Sequence, residues 1–168
     1  NLLIDAQSRH GLEPALTRLA TSIGDDAERE RARAELLQTL WLIQSGHGNV
    51  GTGLSHALAH QVGAICGLNH GHGSAIFLPA TLRLLSASGR IAPHRAALLA
   101  KAFGVKEDGH PIDAVIRRLE ALRDQLSLPG RLAEVGISSL NTGPIVTAVL
   151  SDPTIRASPG APITREEI

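Results

Sequence analysis

Cysteine occurs once, at Cys66, so no intrachain disulfide can staple this chain, and a lone thiol is compatible with a reducing compartment. Aromatic residues make up only 2% and tyrosine is absent, so any core must be assembled from Leu, Ala, Ile and Val. Net charge is lacking too. Sixteen Lys plus Arg balance 16 Asp plus Glu, which removes the overall field that draws in nucleic acid or an anionic membrane. No apolar run reaches the roughly 18 residues of a membrane span, and no basic-then-apolar secretory leader opens the chain. Together these absences make the cytoplasm the expected compartment. The chain begins at Asn1 rather than Met, which points to processing or truncation.

What is present can fill a core. The chain has 168 residues, 43% hydrophobic and 19% charged, which suits one domain and carries no disordered signature. Leu12, Leu16 and Leu19 recur at the spacing of one helix face. Asp25, Asp26 and Glu28 supply an acidic first turn for a second helix running through Arg31, Leu36, Leu37 and Leu40 to Trp41 and Ile43, with Trp41 expected in the core. Gly46, Gly48, Gly51 and Gly53 then predict a tight connection or a close backbone approach to a ligand. Further helices are expected over 54–65 (ended by Gly67 and Asn69), 74–85 (kinked or started by Pro79), 96–103 (stopped by Gly104) and 112–126. A short helix is expected over 141–150, with Asn141, Gly143 and Pro144 read as a loop. Neither βαβ alternation nor strand pairing nor repeats occur, so the fold class is all-α, a helical bundle.

The chemistry concentrates between His47 and His72, which hold five of the eight histidines. His56 and His60 stand at i and i+4, which on a helix puts both imidazoles on one face, about 5–6 Å apart at Cβ. His70 follows in a glycine-rich turn, flanked by Gly71 and with Gly73 beyond, where something can approach. Imidazole is the commonest metal ligand and suits Zn, Fe, Ni and Cu. An isolated HxxxH pair in an apolar helix is more often packed or hydrogen-bonded histidine, so the third residue matters. No Asp or Glu lies between Leu36 and Arg90, so this segment offers only neutral ligands, and two are fewer than a catalytic zinc site uses.

The run from Gly53 through His56, His60 and Gly63, then Asn69-His70-Gly71, then Ala75 to Pro79, resembles the signature of iron-containing alcohol dehydrogenases. In that family two metal-binding histidines stand fourteen residues apart, as His56 and His70 do. A further histidine follows the first ligand by one turn, matched by His60, and a proline follows the second by nine, matched by Pro79. Trp41-Leu42-Ile43 and the stretch Leu128 to Ile137 also resemble the family's C-terminal half, so the likeness spans nearly the whole chain.

The resemblance implies a single domain, 1–168, with the family's C-terminal metal-binding fold, shared with dehydroquinate synthase-like proteins. It implies Fe²⁺ or Zn²⁺ on His56 and His70, proton transfer by His60, and interconversion of a small alcohol with an aldehyde or ketone, using NAD(P). Imidazole titrates near neutrality, which suits a proton carrier. It also implies that the family's nucleotide-binding domain, and the Asp and His that complete its metal site, precede Asn1; Asp5 and His10 stand at the wrong spacing to replace them. His47 would face the substrate pocket or else be a polar loop residue, and His72 would line the pocket or cap a helix. Cys66 is expected as a small buried hydrophobe, and His10, His94 and His110 as solvated. Partners are expected to be the small-molecule substrate and a second copy in a homodimer, meeting through 46–53 and 76–85, with neither nucleic acid nor membrane. A maleylacetate reductase, from a sister group, and a non-enzymatic helical metal-binding or interaction module are the alternatives.

Overall fold

The computed structural model describes residues 2–23, 27–50, 52–105, 109–159 and 162–168, and within them the side chains of all but 2–5, 7, 45–50 and 157. Helices α1 (Leu2–Arg18) and α2 (Ala27–Val50) form an antiparallel hairpin. Small residues make that pairing close: Ala32 and Thr39 of α2 are buried, and a Cβ at Gly11 would lie 2.8 Å from Ile43 Cγ1. The pairing faces α1 with the Ala32–Thr39–Ile43 stripe, and this overturns the expectation for Trp41. Leu37, Leu40 and Trp41 lie off that stripe, and Trp41 is 72% exposed. The helix also continues through Gly46 and Gly48, where a connection was expected. Each glycine costs roughly 1 kcal/mol relative to alanine, but extending a helix already nucleated is cheap.

The second unit is built on α3 (Leu54–Cys66) and α4 (His70–Ala87), joined by a three-residue turn. Gly67 takes the left-handed conformation that closes α3, its N–H donating to the Gly63 carbonyl. Asn69 then caps α4, its side-chain oxygen accepting from the N–H groups of Gly71 and His72. Cap and first turn thus precede the expected start at residue 74, and Pro79 sits buried inside the helix rather than in its first turn. His72, expected to be either a pocket residue or a capping one, lies half-buried in that first turn, with Asn69 as the cap.

Helix α6 (Pro111–Gln125) packs on α4, α5 (Pro93–Ala102) packs on α6, and α7 (Thr142–Ser151) lies along α3. Asn141 is the N-cap residue of α7, and Gly143 and Pro144 belong to its first turn, not to a loop. Pro is tolerated there because first-turn N–H groups have no intrahelical partner. One core gathers Leu54, Ala57, Val62, Leu68, Leu85, Ile145, Val149 and Ile163, with Cys66 half-buried against it. A second gathers Ala96, Ile112 and Ile116, and Ile91 packs on both. Within 76–85 only Ala80 and Arg83 are exposed, the other residues being buried or half-buried, while the side chains of 46–50 and residue 51 lie outside the described residues. His10, His94 and His110 are exposed as expected, His110 also accepting the Ile112 N–H at the start of α6. The described residues contain no strand, and no helix among them is long and apolar enough to cross a membrane.

Candidate metal centre

The i,i+4 spacing on α3 does what helix geometry requires: the rings of His56 and His60 lie side by side, centroids 4.2 Å apart. His70 is the first residue of α4, and the short turn after Gly67 folds α4 back so that its ring stands 4.6 Å from His56 and 5.3 Å from His60. One potential ligand atom from each of the three lies within 4.8 Å of the others. His56 is half-buried, while His60 and His70 are exposed, so the cluster opens to solvent on one side. The side chain of His47 falls outside the described residues. His10 sits exposed on α1 and takes no part in the cluster, and the Asp5 side chain is likewise outside the described residues.

A residue that sequence reasoning did not single out completes the arrangement. Asp152 follows α7 directly, and its side chain is only 6% exposed. Its Oδ1 accepts from the Thr154 N–H at 2.9 Å and the Thr154 hydroxyl at 2.6 Å. Its Oδ2 accepts from the Gln61 amide at 2.9 Å and lies 3.4 Å from His60 Nδ1. Burial by itself would raise this carboxyl, but the donors from Thr154, Gln61 and His60 outweigh it and hold the pKa at about 2. The carboxylate is therefore charged at any physiological pH.

The segment carrying Asp152 is stitched to the start of α3. The Gly53 N–H donates to the Thr154 carbonyl at 3.0 Å, and the Leu54 N–H donates to Ser158 Oγ at 2.8 Å. Gly53 needs to be glycine for this: its φ of 81° is left-handed, and a Cβ would crowd Ser158 Oγ at 3.3 Å. A cleft of about 440 Å³ opens beside this segment, with Asp152, Ile155, Arg156 and Ile163 among its walls. The only sequence signal for Asp152 was its place before Pro153, a 3₁₀ cap pattern that carries no hint of a distant histidine.

Chemically, the cluster presents nitrogen donors of the kind that iron and zinc accept, brought from two elements to one place. The donor set fits a divalent ion of either metal. Asp152 is held away from that role, since its oxygens are already engaged by Thr154, Gln61 and the flank of His60.

Comparison with known proteins bears on the same residues. The profile described as "Fe-containing alcohol dehydrogenase family, C-terminal" matches residues 3–168. A 1-propanol dehydrogenase of Salmonella typhimurium is 36% identical over 135 residues, covering 76% of this chain and 36% of that enzyme. A lactaldehyde reductase of Escherichia coli K12 is 27% identical over 154 residues, 89% of this chain and 39% of that enzyme. Among solved structures, a 1,3-propanediol oxidoreductase superposes on 99% of this chain and 44% of its own with a TM-score of 0.86 at 22% identity. An alcohol dehydrogenase from Oenococcus oeni does so with a TM-score of 0.85 at 23% identity, covering 99% of this chain and 43% of its own. The structural likeness supports the same all-α fold. The chain spans about two fifths of the length of the curated relatives it matches.

Proposed function

The chain belongs to the Fe-containing alcohol dehydrogenase family, in its C-terminal part, and from that premise we propose that it is the metal-holding half of an NAD(P)-linked oxidoreductase that interconverts a small alcohol and its aldehyde or ketone. The observation that carries this reading is the convergence of His56, His60 and His70 from two helices onto one point. The substrate class follows the relatives, whose names specify lactaldehyde and 1-propanol, so a short-chain alcohol or aldehyde is the expected reactant.

His56 and His70 would hold the divalent ion, iron or zinc. When bound, that ion would supply Lewis-acid stabilisation of developing alkoxide charge, and NAD(P) would be the redox partner. His60, one helical turn from His56 and 41% exposed, touches both the cluster and solvent. It would carry a proton between the substrate hydroxyl and water. The glycine-flanked entry of α4 leaves His70 open to an incoming ligand.

Titration calorimetry with Zn²⁺ on the chain, beside its His56→Ala and His70→Ala variants, tests the site. The expected outcome is binding that each substitution weakens at least tenfold, because each removes one of few donors. Binding that is absent, or indifferent to both substitutions, would refute this assignment.

A further inference from the structure

The carboxylate behind His60 has a task that the three imidazoles do not account for. It rests on the reading above only in that His60 is given work to do. An ionised carboxylate accepts hydrogen bonds and donates none. Asp152 is buried, and each of its described contacts is a donor: the Thr154 N–H and hydroxyl on Oδ1, and the Gln61 amide on Oδ2. His60 Nδ1 faces the same Oδ2 at 3.4 Å, so the favourable ring state there is the one with the proton on Nδ1. The only lone pair of the neutral ring then sits on Nε2. That is the atom that can take a proton or meet an ion. Carboxylates placed behind metal-site and catalytic histidines fix orientation and tautomer in this way.

We propose that Asp152 is a positioning residue that locks His60 in the Nδ1–H tautomer and so makes Nε2 its working atom. The neighbouring bonds make the lock stiff. Thr154 is tied to Gly53 and Ser158 to Leu54, so the carboxylate is carried on the same end of α3 that leads into His56 and His60.

The amide variant separates this role from the structural one. In Asp152→Asn, the fixed Thr154 N–H holds the side-chain oxygen, which turns the NH₂ toward Gln61 and His60. An NH₂ facing Nδ1 favours a bare Nδ1, and the proton moves to Nε2. In Thr154→Val the cap loses its hydroxyl bond while the carboxylate still faces His60, so the tautomer should stay. The measurement is long-range ¹⁵N–¹H NMR of the histidine side chains in the metal-free chain at mildly alkaline pH, where protonated and bare ring nitrogens resonate far apart.

The expected results are Nδ1–H in the wild type and in Thr154→Val, and predominantly Nε2–H in Asp152→Asn. A wild-type ring protonated on Nε2 would overturn the proposal even if Asp152→Asn failed to fold. So would an Asp152→Asn variant that folds and keeps Nδ1–H. A wild type with the expected tautomer but no Zn²⁺ binding would leave this inference standing and remove the metal reading instead.

Discussion

The spacing of the three histidines depends on how closely α3 and α4 approach, and Gly73 sets that approach. It is buried three residues after His70, opposite Ala59, the neighbour of His60. A Cβ at Gly73 would stand 3.0 Å from Ala59 Cβ, 3.2 Å from Ala59 Cα and 3.3 Å from Leu68 Cδ2. The tightest contact falls about 0.5 Å short of the 3.5–4.0 Å optimum for carbon pairs. One of the three atoms is backbone, so rotating a side chain cannot relieve it, and the helices must part. Such overpacking costs about 1–3 kcal/mol, against which Gly73→Ala gains about 0.8–1.0 kcal/mol of helix propensity. Gly143→Ala is the internal standard. It is also helical, but its new Cβ would meet nothing closer than Asn141 Oδ1 at 3.7 Å. Subtracting one variant from the other cancels most of the propensity gain and leaves the overpacking, about 1–3 kcal/mol. At about 2–4 °C per kcal/mol for a chain of this size, Gly73→Ala should melt about 2–12 °C below Gly143→Ala. It should also bind Zn²⁺ more weakly, because His70 moves with its helix. Calorimetric melting and metal titration on the two variants decide the matter. A Gly73→Ala protein that melts at or above Gly143→Ala would refute the claim that the α3–α4 contact is at its limit.

Ile112 is fully buried against Ala96 and Ile116, so Ile112→Ala should lose about 2–5 kcal/mol in urea unfolding with an unchanged slope, and a loss below about 1 kcal/mol would mean that the site collapses freely. The depressed Asp152 carboxyl makes a signed prediction about acid. Its folded value of about 2 lies below the ordinary 3.8, so the unfolded chain binds that proton more tightly. Its stabilisation is complete above the ordinary value, shrinks as pH falls between the two, and is lost below about 2. The stability gap between wild type and Asp152→Asn, read from urea midpoints, should therefore narrow across that window, whereas a gap that widens on acidification would contradict the hydrogen-bond account.

Local periodicity made much of the fold legible. The helices at α3, α5 and α6, and the stops at Gly67 and Gly104, follow from residues within a turn or two of each boundary. Small-residue effects were harder to see. The sequence pattern placed Trp41 inside with the leucines of its helix, but α2 packs through Ala32 and Thr39 because small side chains let α1 come closer. Hydrophobicity alone does not say which stripe of a helix meets its neighbour.

The same division runs through the site. Two histidines at i and i+4 had to share a face once their segment was helical, since the helical period is fixed by the backbone. The return of His70 toward them follows from a three-residue turn that Gly67 and Asn69 specify. Those relations were set within fifteen residues and could be read from the chain in order. Asp152 belongs to the other kind. It reaches His60 only because Ile145 and Val149 seat α7 in the core beside Val62, and because Gly53 and Leu54 bind the segment that follows. No local pattern encodes which distant carboxylate will land behind an imidazole; that pairing is decided by how the buried faces of α3 and α7 pack.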